Sequence, residues 1–145
     1  MFTPPRIGLR SYQGALIQAR AYRAITNFMA ASLGADNISL PEWAILGLLM
    51  DNTALRPSDL AAALGVKPPV VTVQLRDLEK RKLVVRTQAE GDSRASVIKL
   101  TDAGRQQVEI TEKRVWSDLR GYLKDIGPLD VLAYIKVLRQ LARKL

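Results

Sequence analysis

The 145-residue sequence contains no cysteine and no histidine. The first absence excludes a disulfide, a thiol redox switch and any cysteine-ligated metal. The second removes the commonest general base and the commonest zinc ligand. Carboxylates and lysines remain available for catalysis, yet no spacing among them suggests a catalytic constellation. No catalytic residue, metal site or cofactor is therefore expected, and the chain does not read as an enzyme. No apolar run reaches the about 18 residues of a membrane-spanning helix. Met1-Phe2-Thr3-Pro4-Pro5 lacks a basic segment followed by an apolar core, which predicts no signal peptide, a cytoplasmic location and no membrane partner.

Positive charge is in excess. Twenty-two Lys and Arg residues against 14 Asp and Glu leave a net charge of +8, which favours a polyanionic partner. Its distribution sharpens the inference. Between Lys67 and Lys99 eight cations meet four acids, so half of the excess lies in that segment. The hydrophobic fraction of 48% and the charged fraction of 25% are ordinary for a globular chain, here read as one domain over residues 1–145.

The spacing of apolar residues predicts a mainly α fold with a small antiparallel β-hairpin. Residues 9–33 form a helix, with Leu9, Leu16, Ala19, Ile25 and Met29 at intervals near three and four. Gly34-Ala35-Asp36-Asn37 ends it. Ser39-Leu40-Pro41-Glu42 has the pattern of a capping box and starts a helix over 43–50 that is apolar on nearly every side, hence central to the core. After the turn Asp51-Asn52-Thr53, Leu55-Arg56 adds a short strand. Two helices follow over 57–64 and 68–82, joined by Gly65-Val66, where Gly65 fits a left-handed helix stop. Strands over 83–87 and 96–100 form a hairpin with Glu90-Gly91-Asp92-Ser93-Arg94 at its tip. Thr101 caps a helix over 102–123, and a last helix over 129–145 follows the Gly127-Pro128 break. Helix-turn-helix followed by a charged ribbon is a shape that reads duplex DNA. Residues 39–100 form this winged helix-turn-helix part. The helical parts 9–33 and 102–145 carry more apolar positions than it needs for its own core, which predicts dimerisation helices and a homodimer.

Asp92-Ser93-Arg94-Ala95-Ser96-Val97-Ile98-Lys99-Leu100-Thr101-Asp102-Ala103-Gly104 resembles the wing of the multiple antibiotic resistance regulator (MarR) family: Asp-x-Arg, a short gap, an alternating strand, then Leu-Thr-x-x-Gly. Leu78-Glu79-Lys80-Arg81-Lys82-Leu83-Val84-Val85-Arg86 resembles the end of that family's recognition helix and its first wing strand. Leu60-Ala61 and Leu64-Gly65-Val66 are similar to the helix before it. The resemblance covers nearly the whole chain in helix order, and it implies a winged-helix transcriptional regulator. Lys82 departs from it, because the family usually has glycine there and the recognition helix must end without glycine's freedom. Pro68-Pro69-Val70-Val71 stands where serines and threonines are frequent, and Val73 where a basic residue is.

At about 100° per residue, Val71, Leu75 and Leu78 share one face of the proposed recognition helix. The opposite face carries Pro69, Val73, Arg76 and Lys80, flanked by Val70 and Thr72, with Gln74 nearer the apolar side. Thr72 and Arg76 suit polar contacts to base edges or phosphates, and Val70 and Val73 suit thymine methyls. Alternatively Arg76 pairs with Glu79, or Lys80 with Asp77, on an ordinary solvated face. Arg94 at the ribbon tip suits a narrow minor groove. Asp92 holds Arg94 or caps the turn, since a carboxylate repels phosphate, and the resemblance supports that pairing. Arg86 and Lys99 are either phosphate neighbours or solvated.

The resemblance also implies a small, often anionic aromatic effector bound between the dimerisation and DNA-binding parts. Tyr12, Tyr22, Arg23, Trp43 and Trp116 either line such a cleft, with arginine gripping the anion, or fill the core and the dimer interface. The expected function is sequence-specific binding of a pseudo-palindromic double-stranded DNA operator by a homodimeric regulator, a repressor released by a small organic ligand. The alternative is a winged-helix protein-interaction module without specific DNA binding.

Overall fold

Leu33, Ile45, Leu46, Leu49, Leu60, Leu75, Leu78 and Ile98 are shielded from solvent and mark where the elements meet. Each such side chain contributes about 1.5–3 kcal/mol relative to exposure. The computed structural model describes residues 10–144. The Met1–Pro5 segment, Leu9 and Leu145 lie outside the described residues. The element order is α1 (Ser11–Gly34), α2 (Leu40–Asp51), α3 (Pro57–Leu64), α4 (Pro68–Lys80), β1 (Val84–Ala89), β2 (Asp92–Leu100), α5 (Asp102–Leu123) and α6 (Pro128–Lys144). The strands form a two-stranded antiparallel sheet. This is the expected mainly α architecture with a β-hairpin wing.

Helix α2 sits at the centre, packed by α1, α3, α4, α5 and β2, as its apolar circumference requires. It begins with the expected capping box. The Ser39 hydroxyl accepts from the Glu42 amide at 3.3 Å, and the Glu42 carboxylate accepts from the Ser39 amide at 2.7 Å. Pro57 starts α3, and Gly65 ends it at φ 64°. The strand expected at Leu55-Arg56 is a one-residue bridge. Leu55 exchanges backbone hydrogen bonds of 3.1 and 2.8 Å with Ile98, while Arg56 turns away as the N-cap of α3.

Helix α4 ends at Lys80, two residues short of the expected Lys82. Lys82 adopts φ 57°, its amide donates to the Glu79 carbonyl, and the Leu83 amide donates to the Leu78 carbonyl, each at 3.0 Å. These two bonds define a Schellman stop, with Lys82 at the position where glycine is the usual occupant. Leu83, like Leu78, belongs to the buried core, and the chain then enters β1.

The wing is longer and its tip tighter than the spacing predicts. Val84 lies opposite Leu100, Gln88 opposite Ser96, and Ala89 opposite Asp92. Strand pairing thus resumes beyond a bulge of residues 93–95 on β2. Gly91, at φ 79°, lets Glu90-Gly91 close the turn alone. Arg94 consequently sits in the bulge beside the tip and not in a five-residue loop.

Thr101 caps α5 by accepting from the Gly104 amide at 3.0 Å. Helix α6 follows the Gly127-Pro128 break, where the Asp130 carboxylate accepts from the Gly127 amide at 3.2 Å. Among the described residues α6 has no extensive packing against any other element. Leu129, Leu132, Val137 and Leu141 on it remain exposed.

Candidate nucleic-acid interface

Val71, Leu75 and Leu78 are buried, and their spacing of four and three seats one face of α4 on the core. The outward face presents Pro69, Val70, Thr72, Val73, Arg76 and Lys80, all exposed. Val70 and Val73 are 44% and 52% exposed, a high value for valines on a well-packed helix. The Thr72 hydroxyl donates to the Pro68 carbonyl at 3.1 Å, which leaves its oxygen able to accept. Gln74 is drawn to the other side, where its carboxamide oxygen accepts from the Ser39 hydroxyl at 3.1 Å. It therefore belongs to the junction between α4 and α2 more than to the outward face.

The ion pairs Arg76–Glu79 and Lys80–Asp77 do not form. Glu79 instead meets Arg86 of β1, Nε to Oε1 at 3.2 Å. A second Arg86 nitrogen donates to the Ser96 hydroxyl, also at 3.2 Å. Arg86 thus ties the wing to α4, while 41% of its side chain stays exposed. Arg76, Lys80 and Arg94 form no ion pair with another described residue. Asp92 stabilises the bulge by accepting from the Arg94 backbone amide at 3.0 Å. It grips the main chain of Arg94 and leaves the guanidinium exposed. The outward face of α4 and the wing bulge together present three uncompensated cations, with the apolar Val70 and Val73 beside them.

Several residues outside the predicted set hold this surface in place. Arg81, the C-cap of α4, donates to the carbonyls of Asn37 at 2.8 Å and Asp36 at 3.1 Å. It also stands 3.7 Å from the buried Glu42 carboxylate. The Asp36 carboxylate pairs with Arg114 of α5 at 2.7 Å and accepts from the Thr111 hydroxyl. The Arg114 bond holds the Asp36 carboxyl below the usual carboxylate range, against the opposing effect of burial and with further help from Thr111. The same pairing raises Arg114. A cation at a helix C-terminus was the one local signal for Arg81.

The expected effector residues do not converge within the chain. Tyr12, Tyr22 and Arg23 are exposed along α1. Trp43 lies in a cleft with Gly47, Met50, Val108 and the acidic Asp51, Glu109 and Glu112. Trp116 lies in another with Arg120, Leu123 and Lys124, its indole donating to Glu112 at 2.7 Å. An apolar groove of about 460 Å³ opens between α1 and α5, lined by Ala24, Ile25, Phe28, Met29, Leu119, Tyr122 and Leu123. It holds none of the five. Helical spacing identifies apolar faces but not which of them meet. No helix among the described residues is long and apolar enough to cross a membrane.

Residues 36–95, which span the core helices and β1 and end in the wing bulge, match the family model described as MarR family. The HTH-type transcriptional regulator FarR of Neisseria gonorrhoeae is 37% identical over 94 residues, 65% of this chain and 63% of that protein's length. The crystal structure of NadR in complex with 4-hydroxyphenylacetate is 30% identical over the whole of both chains, with a TM-score of 0.76. A cysteine-to-serine variant of MarR from E. coli, complexed with operator DNA, shares the fold at 20% identity and a TM-score of 0.75 over 88% of this chain and 91% of that one. The chain belongs to the MarR family of winged-helix transcriptional regulators.

Proposed function

We propose that two copies of this chain bind a pseudo-palindromic double-stranded DNA operator sequence-specifically and repress transcription until a small organic ligand releases them. The observation that carries this reading is the division of α4. One face is locked into the core by Val71, Leu75 and Leu78, and the other offers Arg76 and Lys80 without an ion-pair partner among the described residues. A helix seated so firmly holds its outward side chains at fixed positions, which base readout in a major groove requires. In this reading Thr72 and Arg76 contact base edges or phosphates, Val70 and Val73 meet thymine methyls, and Arg94 enters the adjoining minor groove. That E. coli MarR was crystallised with operator DNA supports the same use of a shared fold.

Dimerisation is supported by the apolar residues that the chain leaves open on α1, α5 and α6, among them Leu16, Ile17, Trp116, Leu129 and Leu132. A second copy related by two-fold symmetry would cover them. Leu132→Asp is expected to raise the dimer dissociation constant by about 100-fold while helicity stays intact, a shift that sedimentation equilibrium reads directly. For an effector, the groove between α1 and α5 offers apolar contacts and no cation. It therefore suits the ring of an aromatic ligand more than an anionic group.

The deciding experiment is binding to the protein's own upstream intergenic DNA and to a scrambled duplex across a salt series. A large preference for the natural duplex is expected. Arg94→Ala should lower the slope of log affinity against log salt by about one. Weak binding, equal on both duplexes and insensitive to salt, would replace this reading with a protein-interaction module.

A further inference from the structure

Residues 35–39, between α1 and α2, are held from two sides by elements that do not touch one another extensively. From the α4 side, Arg81 spans the carbonyls of Asp36 and Asn37, and Gln74 accepts from the Ser39 hydroxyl. From the α5 side, Arg114 and Thr111 hold the Asp36 carboxylate. Arg114 also donates to the Ser32 carbonyl at 2.9 Å, where α1 ends. Asn37 takes φ 55°, a left-handed conformation that asparagine tolerates better than most residues, and this turns successive carbonyls toward one guanidinium. Asp36 thus presents its carbonyl to α4 and its carboxylate to α5.

We infer that this turn is the coupling that sets the angle of α4 on the dimer-forming helices, with Arg81 and Arg114 as its positioning residues. The inference rests on the DNA-binding reading for its functional meaning, while its geometry stands by itself. Arg81 carries a charge near the end of the recognition helix, so a direct phosphate contact is the rival role. Chemistry separates the two. A guanidinium fork can bridge two carbonyls and still face Glu42, whereas a lysine ammonium supplies equal charge without the fork. Arg81→Lys therefore preserves attraction to phosphate and removes the coupling. Arg114→Lys does the same from the α5 side, and far from the outward face of α4.

The native chain has no cysteine, so spin labels can be placed at Thr72→Cys on α4 and Lys113→Cys on α5 alone. The full-length doubly labelled protein, diluted into unlabelled protein, reports the distance between the two helices within one chain by pulsed electron resonance. A narrow distribution is expected for the parent, broadened by either Arg81→Lys or Arg114→Lys and no further by both together. In unlabelled protein each variant should weaken specific DNA binding by about tenfold at an unchanged salt slope. An unchanged distance distribution in both variants overturns the inference, whatever happens to DNA affinity. So does a salt slope that falls by about one in Arg81→Ala while Arg81→Lys leaves both the distance distribution and the specific affinity unchanged. If the parent shows no sequence preference but the variants still broaden, the coupling stands and the DNA-binding reading falls.

Discussion

The backbone of Gly104 lies directly against the carbonyl of Leu83. A Cβ added there would collide with the carbonyl oxygen and lie 3.0 Å from its carbon and 3.1 Å from the Leu100 side chain. That carbonyl also accepts from the Thr101 amide at 3.1 Å. The first turn of α5 is therefore pressed onto the strand entry leaving α4, and the last residue of Leu100-Thr101-Asp102-Ala103-Gly104 is glycine because nothing larger fits.

Gly104→Ala should consequently destabilise the fold by about 3 kcal/mol, since the obstacle is backbone that cannot swing aside. Thr101→Ala removes the cap together with the hydrogen bond of 2.7 Å that the hydroxyl donates to the Lys82 carbonyl, and should cost about 1–2 kcal/mol. Urea unfolding of both variants checks the order. A Gly104→Ala variant within 0.5 kcal/mol of the parent, by the same resolution of surface-substitution effects, would show that the two segments separate easily.

Lys82 offers the converse case. Its left-handed backbone costs a residue with a Cβ about 1–2 kcal/mol, offset only in part by the greater freedom that glycine has when unfolded. Lys82→Gly should raise stability by about 0.5–1 kcal/mol, because the two hydrogen bonds of the helix stop involve backbone alone. Chemical denaturation measures it. A loss of stability would mean that the Lys82 side chain has a favourable interaction larger than the strain.

These two sites also show what could be read from the chain. Ser39 with Glu42, Gly65, and Thr101 with Gly104 are local devices within a few residues, and all lie where the spacing places them. The wing tip departs from the expected five-residue loop because Asp92 and Arg94 have the character of loop residues, whereas Gly91 closes the turn early and pairing absorbs three extra residues as a bulge. Glu79 and Arg86 are seven residues apart but lie across a helix stop whose geometry depends on an unusual backbone at Lys82. Asp36 and Thr111 are 75 positions apart, and no periodicity links them. Apolar spacing likewise marks Leu132 and Tyr12 as unpolar without saying whether their faces meet this chain or a second copy.

The Asp36 carboxylate predicts a pH dependence with a definite sign. Arg114 lowers its folded-state pKa below the ordinary value of 3.8. The stabilisation is therefore complete above that value and is lost as pH falls through the folded-state pKa. Asp36→Asn should be less stable than the parent near neutrality, by an amount constant down to about pH 4. The gap should narrow as the medium becomes more acidic. Thermal unfolding at a series of pH values reads this out, and a gap that widens on acidification would contradict the pairing.

The Arg86–Glu79 pair separates the cations that look alike in the sequence. Arg86 is compensated by a carboxylate at 3.2 Å and anchored to Ser96, so little of its charge is free to replace counterions on DNA. Arg86→Ala should leave the salt slope of binding nearly unchanged while loosening the wing, which weakens specific binding more than non-specific binding. Glu79→Gln frees the guanidinium and removes a charge that repels phosphate. It should raise affinity for any duplex and steepen the salt slope by about one. The two variants thus move opposite quantities, and filter binding at three or more salt concentrations resolves them. If Arg86→Ala lowers the slope by as much as Arg94→Ala does, Glu79 must release Arg86 when DNA arrives, and the pair is then a gate on the wing and not a brace for it.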